Sequence, residues 1–280
     1  MASKAVLITG CSSGIGEATA RLLAEKGWTV YATARHRGAL AGLRERGCRT
    51  LGLDVTDEQS MRAAIAAVTE AEGAVGVLIN NAGYSQSGAV ESVPLDQVRR
   101  QFETNVFGLI RMCQLVLPGM RAQGYGKIVN VGSMGGRLTF PGGGIYHATK
   151  YAVEAISDAL RFEVRGFGVD VILIEPGLIV TNFGEVASAS VGGAADEGPY
   201  AEFNEQVAKA TADVYKGPLA RLGGEPSKVA EAIARAIEAK RPKSRYPVTP
   251  SAHLMINQRR LTPDKLWDLA MRSQFPTPRG

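Results

Sequence analysis

Tyr146 and Lys150 stand four positions apart in the stretch GGGIYHATKYAVEAI, residues 142–156. Three glycines give way there to an amphipathic pattern, so a phenol and an ammonium fall one helical turn apart on a common face, with Ala148 and Thr149 turned elsewhere. A nearby ammonium favours the phenolate and draws a tyrosine pKa down from its ordinary value of about 10. A tyrosine so treated exchanges a proton near neutral pH. The plainer reading is a surface pair on an ordinary helix, and the rest of the chain must decide between the two.

A second constellation opens the sequence. The run AVLI leads into TGCSSGIG, where Gly10, Gly14 and Gly16 follow a GxxxGxG spacing around Ser12, Ser13 and Ile15. Glycines let backbone approach a diphosphate, whose charge then rests on a helix N-terminus, and the serines add hydroxyl donors. A glycine-rich turn without ligand is the alternative; a place at the first strand–helix junction favours the dinucleotide. In VYATARHR the position of a ribose-binding acid is held by Ala34, followed by Arg35 and, two residues on, Arg37. An acid there would accept from a 2′-hydroxyl and repel a 2′-phosphate, whereas Arg35 suits the phosphate, so NADP(H) is expected rather than NAD(H). A solvated charge at a strand end is the simpler role for Arg35. Asp54, closing LGLD, either holds the adenine amino group or begins the turn before a helix.

These residues need a frame. Strand-like runs at 4–9, 28–34, 50–54, 75–80, 127–131 and 169–175 alternate with helical patterns at 14–26, 38–47, 57–72, 94–123 and 146–166. The strands are continuously apolar rather than alternating, which means burial on both faces, and strand–helix repetition means a parallel sheet with right-handed crossovers. The expected fold is α/β, a doubly wound parallel sheet of Rossmann type in one domain, 1–250, with a C-terminal extension, 251–280, packed on it. Beyond Pro176 the pattern loosens: 182–215 reads as a substrate-covering segment, with helices near 199–215 and 226–239 and one more strand at 245–248. LTPDKLWDLAMRS reads as a helix with Thr262 at the N-cap, Pro263 in the first turn and Leu266, Leu269 and Ala270 on its apolar side.

TGCSSGIG, LDV 53–55, NNAG 80–83, Asn105, Ser133, Tyr146, Lys150 and PGLIVT 176–181 occur in one order, and together they resemble the short-chain dehydrogenase/reductase family over roughly residues 4–250. The resemblance implies Tyr146 as acid/base and Lys150 as the cation that lowers its pKa and bonds the nicotinamide ribose. It implies Ser133 as the hydroxyl that orients the carbonyl, and Asn105 as the residue whose side chain or helix kink holds a relay water. The cofactor would also meet Val55, Asn81, Ala82 and Gly83 near adenosine, and Pro176, Gly177, Ile179 and Thr181 near the nicotinamide. Plainer roles exist for each: a helix cap for Ser133, a tolerated polar residue for Asn105, an ordinary turn for NNAG and a strand end for Pro176. The reaction implied is hydride transfer between a carbonyl and its alcohol, in a homodimer or homotetramer built through helices 94–123 and 146–166. TGCSSGIG, VYATAR and LDVTD are similar to the hydroxysteroid and retinol dehydrogenase-like subgroup, which suggests a lipophilic substrate.

The wall around that substrate is expected from 134–145, 182–215 and the C-terminal extension, with Phe140, Phe183, Val186, Tyr200 and Phe203 as apolar candidates. Arg137 is read as pointing to solvent and His147 as structural. Cys11 lies in the cradle without a paired histidine and is not expected to act as a nucleophile. Cys11, Cys48 and Cys113 show neither metal nor disulfide spacing, and no metal is expected. The charge of +5 is spread over 32 basic and 27 acidic residues, which disfavours nucleic acid as partner. No apolar run approaches the roughly 18 residues of a membrane span, and a cytoplasmic protein is expected. Two other readings stand beside the reductase. A nucleotide-sugar epimerase or dehydratase is disfavoured by the cradle spacing, and a catalytically silent NADP(H)-binding regulator or sensor by the complete Ser133, Tyr146 and Lys150 set.

Overall fold

The computed structural model describes residues 2–181, 187, 190–191, 198–213 and 218–278. Its sheet comprises β1 (Val6–Ile8), β2 (Val30–Ala34), β3 (Arg49–Gly52), β4 (Val77–Asn80), β5 (Gly126–Val131), β6 (Val169–Pro176) and β7 (Arg245–Val248). All neighbours are parallel, in the order β3-β2-β1-β4-β5-β6-β7. Continuous apolar runs require a cover on each face, and both covers are present. On one face Val6, Ile8, Val77, Ile79 and Val129 pack against α1 (Gly14–Glu25), α2 (Ala41–Glu45) and α8 (Pro226–Glu238), whose apolar side includes Val229, Ile233 and Ile237. On the other, Leu7, Leu78, Ile128 and Leu173 pack against α3 (Glu58–Glu72), α5 (Gly108–Gln123) and α6 (Gly144–Val164) through Met61, Val68, Met112, Val116 and Val153. The strand order runs outward in both directions from the β1–β4 pair, which opens a crevice at their carboxyl ends.

The helical run 94–123 is interrupted. It divides into α4 (Leu95–Phe102), a π-helical turn over Glu103–Phe107 and α5, with the Gly108 N–H reaching back five residues to the Glu103 carbonyl. The widened turn carries Asn105, as such bulges do at functional positions. The run 38–47 yields a 3₁₀ turn, Arg37–Leu40, and only the five residues of α2.

The C-terminal part contains α7 (Ala201–Asp213), α8 and two further helices, α9 (Pro250–Leu261) and α10 (Asp264–Arg272). The sequence reading missed α9, although Thr249-Pro250 carries the same threonine–proline start that it recognised at Thr262-Pro263. Thr249 is the residue that caps, accepting from the Ala252 N–H. Thr262 does not: its hydroxyl donates back to the Gln258 carbonyl at 2.7 Å, and Pro263 holds the N-cap of α10. The apolar side expected for that helix is also corrected. Trp267 and Met271 are buried, while Leu266 and Leu269 are exposed. Among the described residues, no helix is long and apolar enough to cross a membrane.

Two glycines of α5 test this packing. A Cβ on Gly108 would lie 2.5 Å from the Val55 carbonyl oxygen, whereas one on Gly119 would meet the Ala74 Cβ at an ordinary 3.5 Å. Gly108→Ala is expected to destabilise by about 1–3 kcal/mol through overpacking. Gly119→Ala should be neutral or stabilising by about 0.5–1 kcal/mol, from helix propensity. Urea midpoints check both, and equal shifts would contradict the close approach at Val55.

Candidate active site

The cradle is built by close backbone contact. A Cβ on Gly16 would lie 2.3 Å from the Gly10 carbonyl oxygen, and Gly10 itself, at φ 73°, lies against Ala82. Ser13, the N-cap of α1, makes no side-chain capping bond, so neither serine closes the helix's first-turn amides. A diphosphate fits this opening: close glycine backbone and amides without a side-chain cap meet it, with the helix dipole behind them. Asn81 fastens the rim by donating Nδ2–H to the carbonyls of Thr9 at 3.0 Å and Gly10 at 2.9 Å. Thr9 Oγ1 in turn accepts from the N–H groups of Asn81 and Ala82. Thr181, at the end of PGLIVT, comes over Gly14, its Cγ2 3.4 Å from where a Cβ would stand.

At the adenosine end, Arg35 is exposed and, among the described residues, its guanidinium enters no hydrogen bond or ion pair. Arg37 is engaged with Thr50 Oγ1 at 3.4 Å. Asp54 Oδ1 accepts from the Thr56 amide and hydroxyl, and it is Asp57 that caps α3. Val55 is buried against α5, and Gly83 lies beside Asn105, whose Oδ1 would be 3.1 Å from an added Cβ.

The Tyr146–Lys150 pair is formed as its spacing requires. Lys150 Nζ lies 5.8 Å from the Tyr146 ring centroid and donates to the Val131 carbonyl at 2.9 Å, at the carboxyl end of β5. The lysine is buried, and burial pushes its pKa down to about 8. Two residues beyond Val131, Ser133 accepts from the Gly135 N–H at 3.0 Å through its Oγ. It is thus a cap, as its plainer role suggested, yet that bond leaves the hydroxyl hydrogen to donate. Asn105 uses its side chain fully as a donor: Nδ2 gives to the Tyr84 carbonyl at 2.9 Å and to Thr149 Oγ1 at 3.1 Å. Its Oδ1 accepts from the Tyr84 N–H, and Thr149 passes its own hydrogen to the Tyr146 carbonyl. Ile179 is buried and bridges to Gly224, and Gly177 packs so closely on the start of α9 that a Cβ would meet Ser251 Oγ at 2.4 Å.

A family model described as short chain dehydrogenase matches residues 4–191. The chain belongs to the short-chain dehydrogenase/reductase family. It is 35% identical to a 3-ketodihydrosphingosine reductase of Bacteroides thetaiotaomicron, covering 97% of this chain and 98% of that protein. An NADPH-dependent 3-dehydrocapnine reductase of Ornithobacterium rhinotracheale is 34% identical, with 94% of each chain covered. A crystal structure of a short-chain dehydrogenase from Streptomyces avermitilis superposes with a TM-score of 0.77 at 34% identity, covering 97% of this chain and 99% of that one.

On the substrate side of this short-chain dehydrogenase, the reading of several residues changes. Arg137 is exposed, as expected, but its guanidinium also meets two buried carboxyls. It lies 3.5 Å from Glu175 and 3.8 Å from Glu154. Phe140 contacts the rings of His147 and Trp267, and Phe203 that of Phe275. Tyr200 donates its hydroxyl to Glu91 at 2.7 Å. Phe183 and Val186 lie outside the described residues. Cys11 is buried, its thiol pushed up to about 12 by burial, which leaves it inert as a nucleophile. Among the described residues, no group of three or more His, Cys, Asp or Glu is placed to hold a metal ion.

Sequence reasoning missed Thr249 and Ser251. Thr249 adopts φ 86° and ψ 149°, a region ordinarily reserved for glycine, and its hydroxyl meets Ser251 Oγ at 2.8 Å. Ser251 accepts from the Leu178 N–H at 3.1 Å, so the start of α9 holds the Pro176–Leu178 turn. The Thr-Pro pair was the signal available for it.

His147 is structural in a specific way. Its Nδ1–H donates to the Gly135 carbonyl at 2.9 Å while Nε2 accepts from the Phe140 N–H at 3.2 Å, which requires the neutral ring. Burial, the largest influence, holds its pKa below the usual histidine value. A depressed histidine pKa contributes stability above the unfolded value of about 6.5, lost as pH falls through the folded one. His147→Phe keeps an aromatic ring but leaves two polar groups unpaired, at a cost of about 2 kcal/mol. The melting-temperature gap between wild type and this variant should narrow below about pH 6, since only the wild type takes up the proton. A constant gap would contradict the neutral tautomer.

Proposed function

We propose that the protein is an NADP(H)-dependent carbonyl reductase that interconverts a lipophilic ketone and its alcohol, with Tyr146 as acid/base. The observation that carries this reading is the buried Lys150 ammonium, 5.8 Å from the Tyr146 ring and bonded to the Val131 carbonyl, two residues before Ser133. A nicotinamide dinucleotide held by the Gly10–Gly16 cradle supplies the hydride, or accepts it in oxidation. Ser133 and Tyr146 donate hydrogen bonds to the carbonyl oxygen, and Tyr146 gives up its proton as negative charge grows there. Lys150, little solvated, stabilises the phenolate left behind. Because the Asn105 amide hydrogens are both engaged, the relay water is assigned to the opened backbone of the π turn rather than to that side chain.

Arg35 is the residue proposed to take the 2′-phosphate, and the NADPH dependence in one relative's name supports this choice. The names of both reported relatives denote reductases of 3-keto or 3-dehydro compounds, which supports ketone reduction and a sphingoid-type ketone as first substrate to try. The buried cluster of Leu138, Phe140, Met255 and Trp267 anchors the loop after Ser133 beside the proposed site. In this reading residues 1–250 form the catalytic domain and 251–280 part of its cover. Exposed Leu95 on α4, Phe107 in the π turn, and Tyr151 and Phe162 on α6 support a homo-oligomer through these helices.

NADPH oxidation followed by absorbance, with 3-ketodihydrosphingosine and a panel of aldehydes and ketones, tests the reaction. Tight NADPH binding without any oxidation would favour a sensor instead. Tyr146→Phe should lower kcat by about 10²–10⁴-fold with NADPH binding nearly intact. Retention of most activity would remove Tyr146 from its role. Arg35→Asp should raise the KM for NADPH by about 10-fold to 100-fold and improve use of NADH, as loss of a charge-assisted hydrogen bond implies. Unchanged selectivity would mean that another group reads the phosphate.

A further inference from the structure

Beneath the loop that follows Ser133 lies a cluster of charges that the proposed reaction does not use. Glu154, one turn beyond Lys150 on α6, is 7% exposed, and Glu175, the residue before Pro176 on β6, is 1% exposed. Arg137 reaches both from the loop, at 3.8 Å and 3.5 Å. Arg245 reaches them from β7, at 3.1 Å and 3.7 Å, but spends its shortest contact, 2.6 Å, on Asp158. Asp158, one turn further along α6, shares Arg245 with Glu154, and Gly136 packs on Glu154, an added Cβ sitting 3.0 Å from its Cγ.

Two buried carboxyls are therefore placed together and shared between arginines that are partly solvated. Both carboxyls meet the same Arg137 Nη1 and the same Arg245 guanidinium, and Glu154 Oε1 is a buried oxygen with no hydrogen-bond partner among the described residues. An ionised carboxylate oxygen left in that condition is costly, and two adjacent carboxylates resist joint ionisation. One proton on the pair removes both difficulties: a neutral carboxyl costs less to bury without partners, and it no longer repels the charge beside it.

We propose that Glu154 and Glu175 share one proton and act as a positioning pair, which through Arg137 and Arg245 fixes the loop after Ser133 against the turn that begins at Pro176. The pair joins four elements at the mouth of the site. α6 carries Tyr146 and Lys150, β6 leads into Ile179 and Thr181, the loop carries Leu138 and Phe140, and β7 leads into Thr249. Burial first, and then the Glu175 charge, pushes the Glu154 pKa up to about 7. A carboxyl raised in the folded state contributes stability that is complete below its unfolded pKa of about 4.3 and lost as pH rises to the folded value. Ionisation of the pair then sets two like charges against each other and loosens the loop.

Its role in catalysis rests on the proposed reductase reading, but the proton itself is tested without turnover. Infrared spectra of the full-length protein should show a protonated carboxyl band that disappears as pH rises through about 7 and is missing in Glu154→Gln. Glutamine mimics the protonated side chain, so the melting temperature of Glu154→Gln relative to wild type should climb from about pH 4.5 and level off above about pH 7. Absence of the band in the wild type, or a difference flat across this range, overturns the shared proton. With a ketone that is turned over, the wild-type KM should rise severalfold above about pH 7 while that of Glu154→Gln stays level and kcat follows one profile in both. Parallel KM profiles in the two would overturn the positioning role. If no ketone is reduced by any form, the reductase reading fails, and the spectra and melting curves still judge the pair.

Discussion

The ammonium of Lys150 is removed from water, and most of the site follows from accommodating it. A buried cation is tolerated only with compensating donors and acceptors. Here the Val131 carbonyl supplies the hydrogen bond, and the face of Tyr146 lies across from it. The lowered pKa of the lysine records the strain of that position, while a fixed, weakly hydrated cation polarises a phenol far better than a surface lysine does. The surroundings exist to hold α6 at this depth. Gly135 and Gly136 let the turn after Ser133 lie directly on the helix, against His147 and the Lys150 carbonyl, where any Cβ would approach within 2.9 Å.

The same helix is fixed from the sheet side by a buried polar chain. Asn80 donates to Asn130 Oδ1 at 2.9 Å, Asn130 to Ser157 Oγ at 2.9 Å, and Ser157 back to the Val153 carbonyl at 2.7 Å. Asn80 ends β4, and its successor Asn81 holds the rim of the Gly10–Gly16 cradle, so one short segment ties that cradle to α6. The chain leaves Asn80 Oδ1 buried without a hydrogen-bond partner among the described residues, yet its three linked bonds tie β4, β5 and α6 together in one register. His147 does the same for the loop after Ser133: one neutral ring joins Gly135 to Phe140 across the bend between them.

What could be read in advance was whatever local pattern determines. Continuous apolar runs specified buried parallel strands, and β7 spans the 245–248 expected. Tyr146 and Lys150 were legible because helix geometry alone brings them together. The π turn was not: Glu103–Phe107 has an ordinary helical composition, and the bulge is stabilised by bonds from Asn105 to Tyr84 and Thr149, residues distant in sequence. The partners of Arg137 were hidden for the same reason: it is exposed, as an arginine in a glycine-rich loop should be, and nothing local shows that β6 and β7 deliver Glu175 and Arg245 beneath it.

The C-terminal helix makes the point about competing faces. On α10 an apolar stripe of Leu266, Leu269 and Ala270 has the regular spacing that periodicity detects, yet Trp267 and Met271 face inward. Trp267 brings a larger apolar surface than leucine, together with an N–H that donates to the Thr139 carbonyl at 3.3 Å, so one side chain satisfies both packing and a loop carbonyl. Leu138 and Phe140 complete its pocket. The loop after Ser133 is thus held on its outer side by an indole and on its inner side by Arg137 between two carboxyls. A loop clamped from opposite sides by one apolar and one ionic contact keeps its shape only while both persist, and the ionic one is the side that protons can reach.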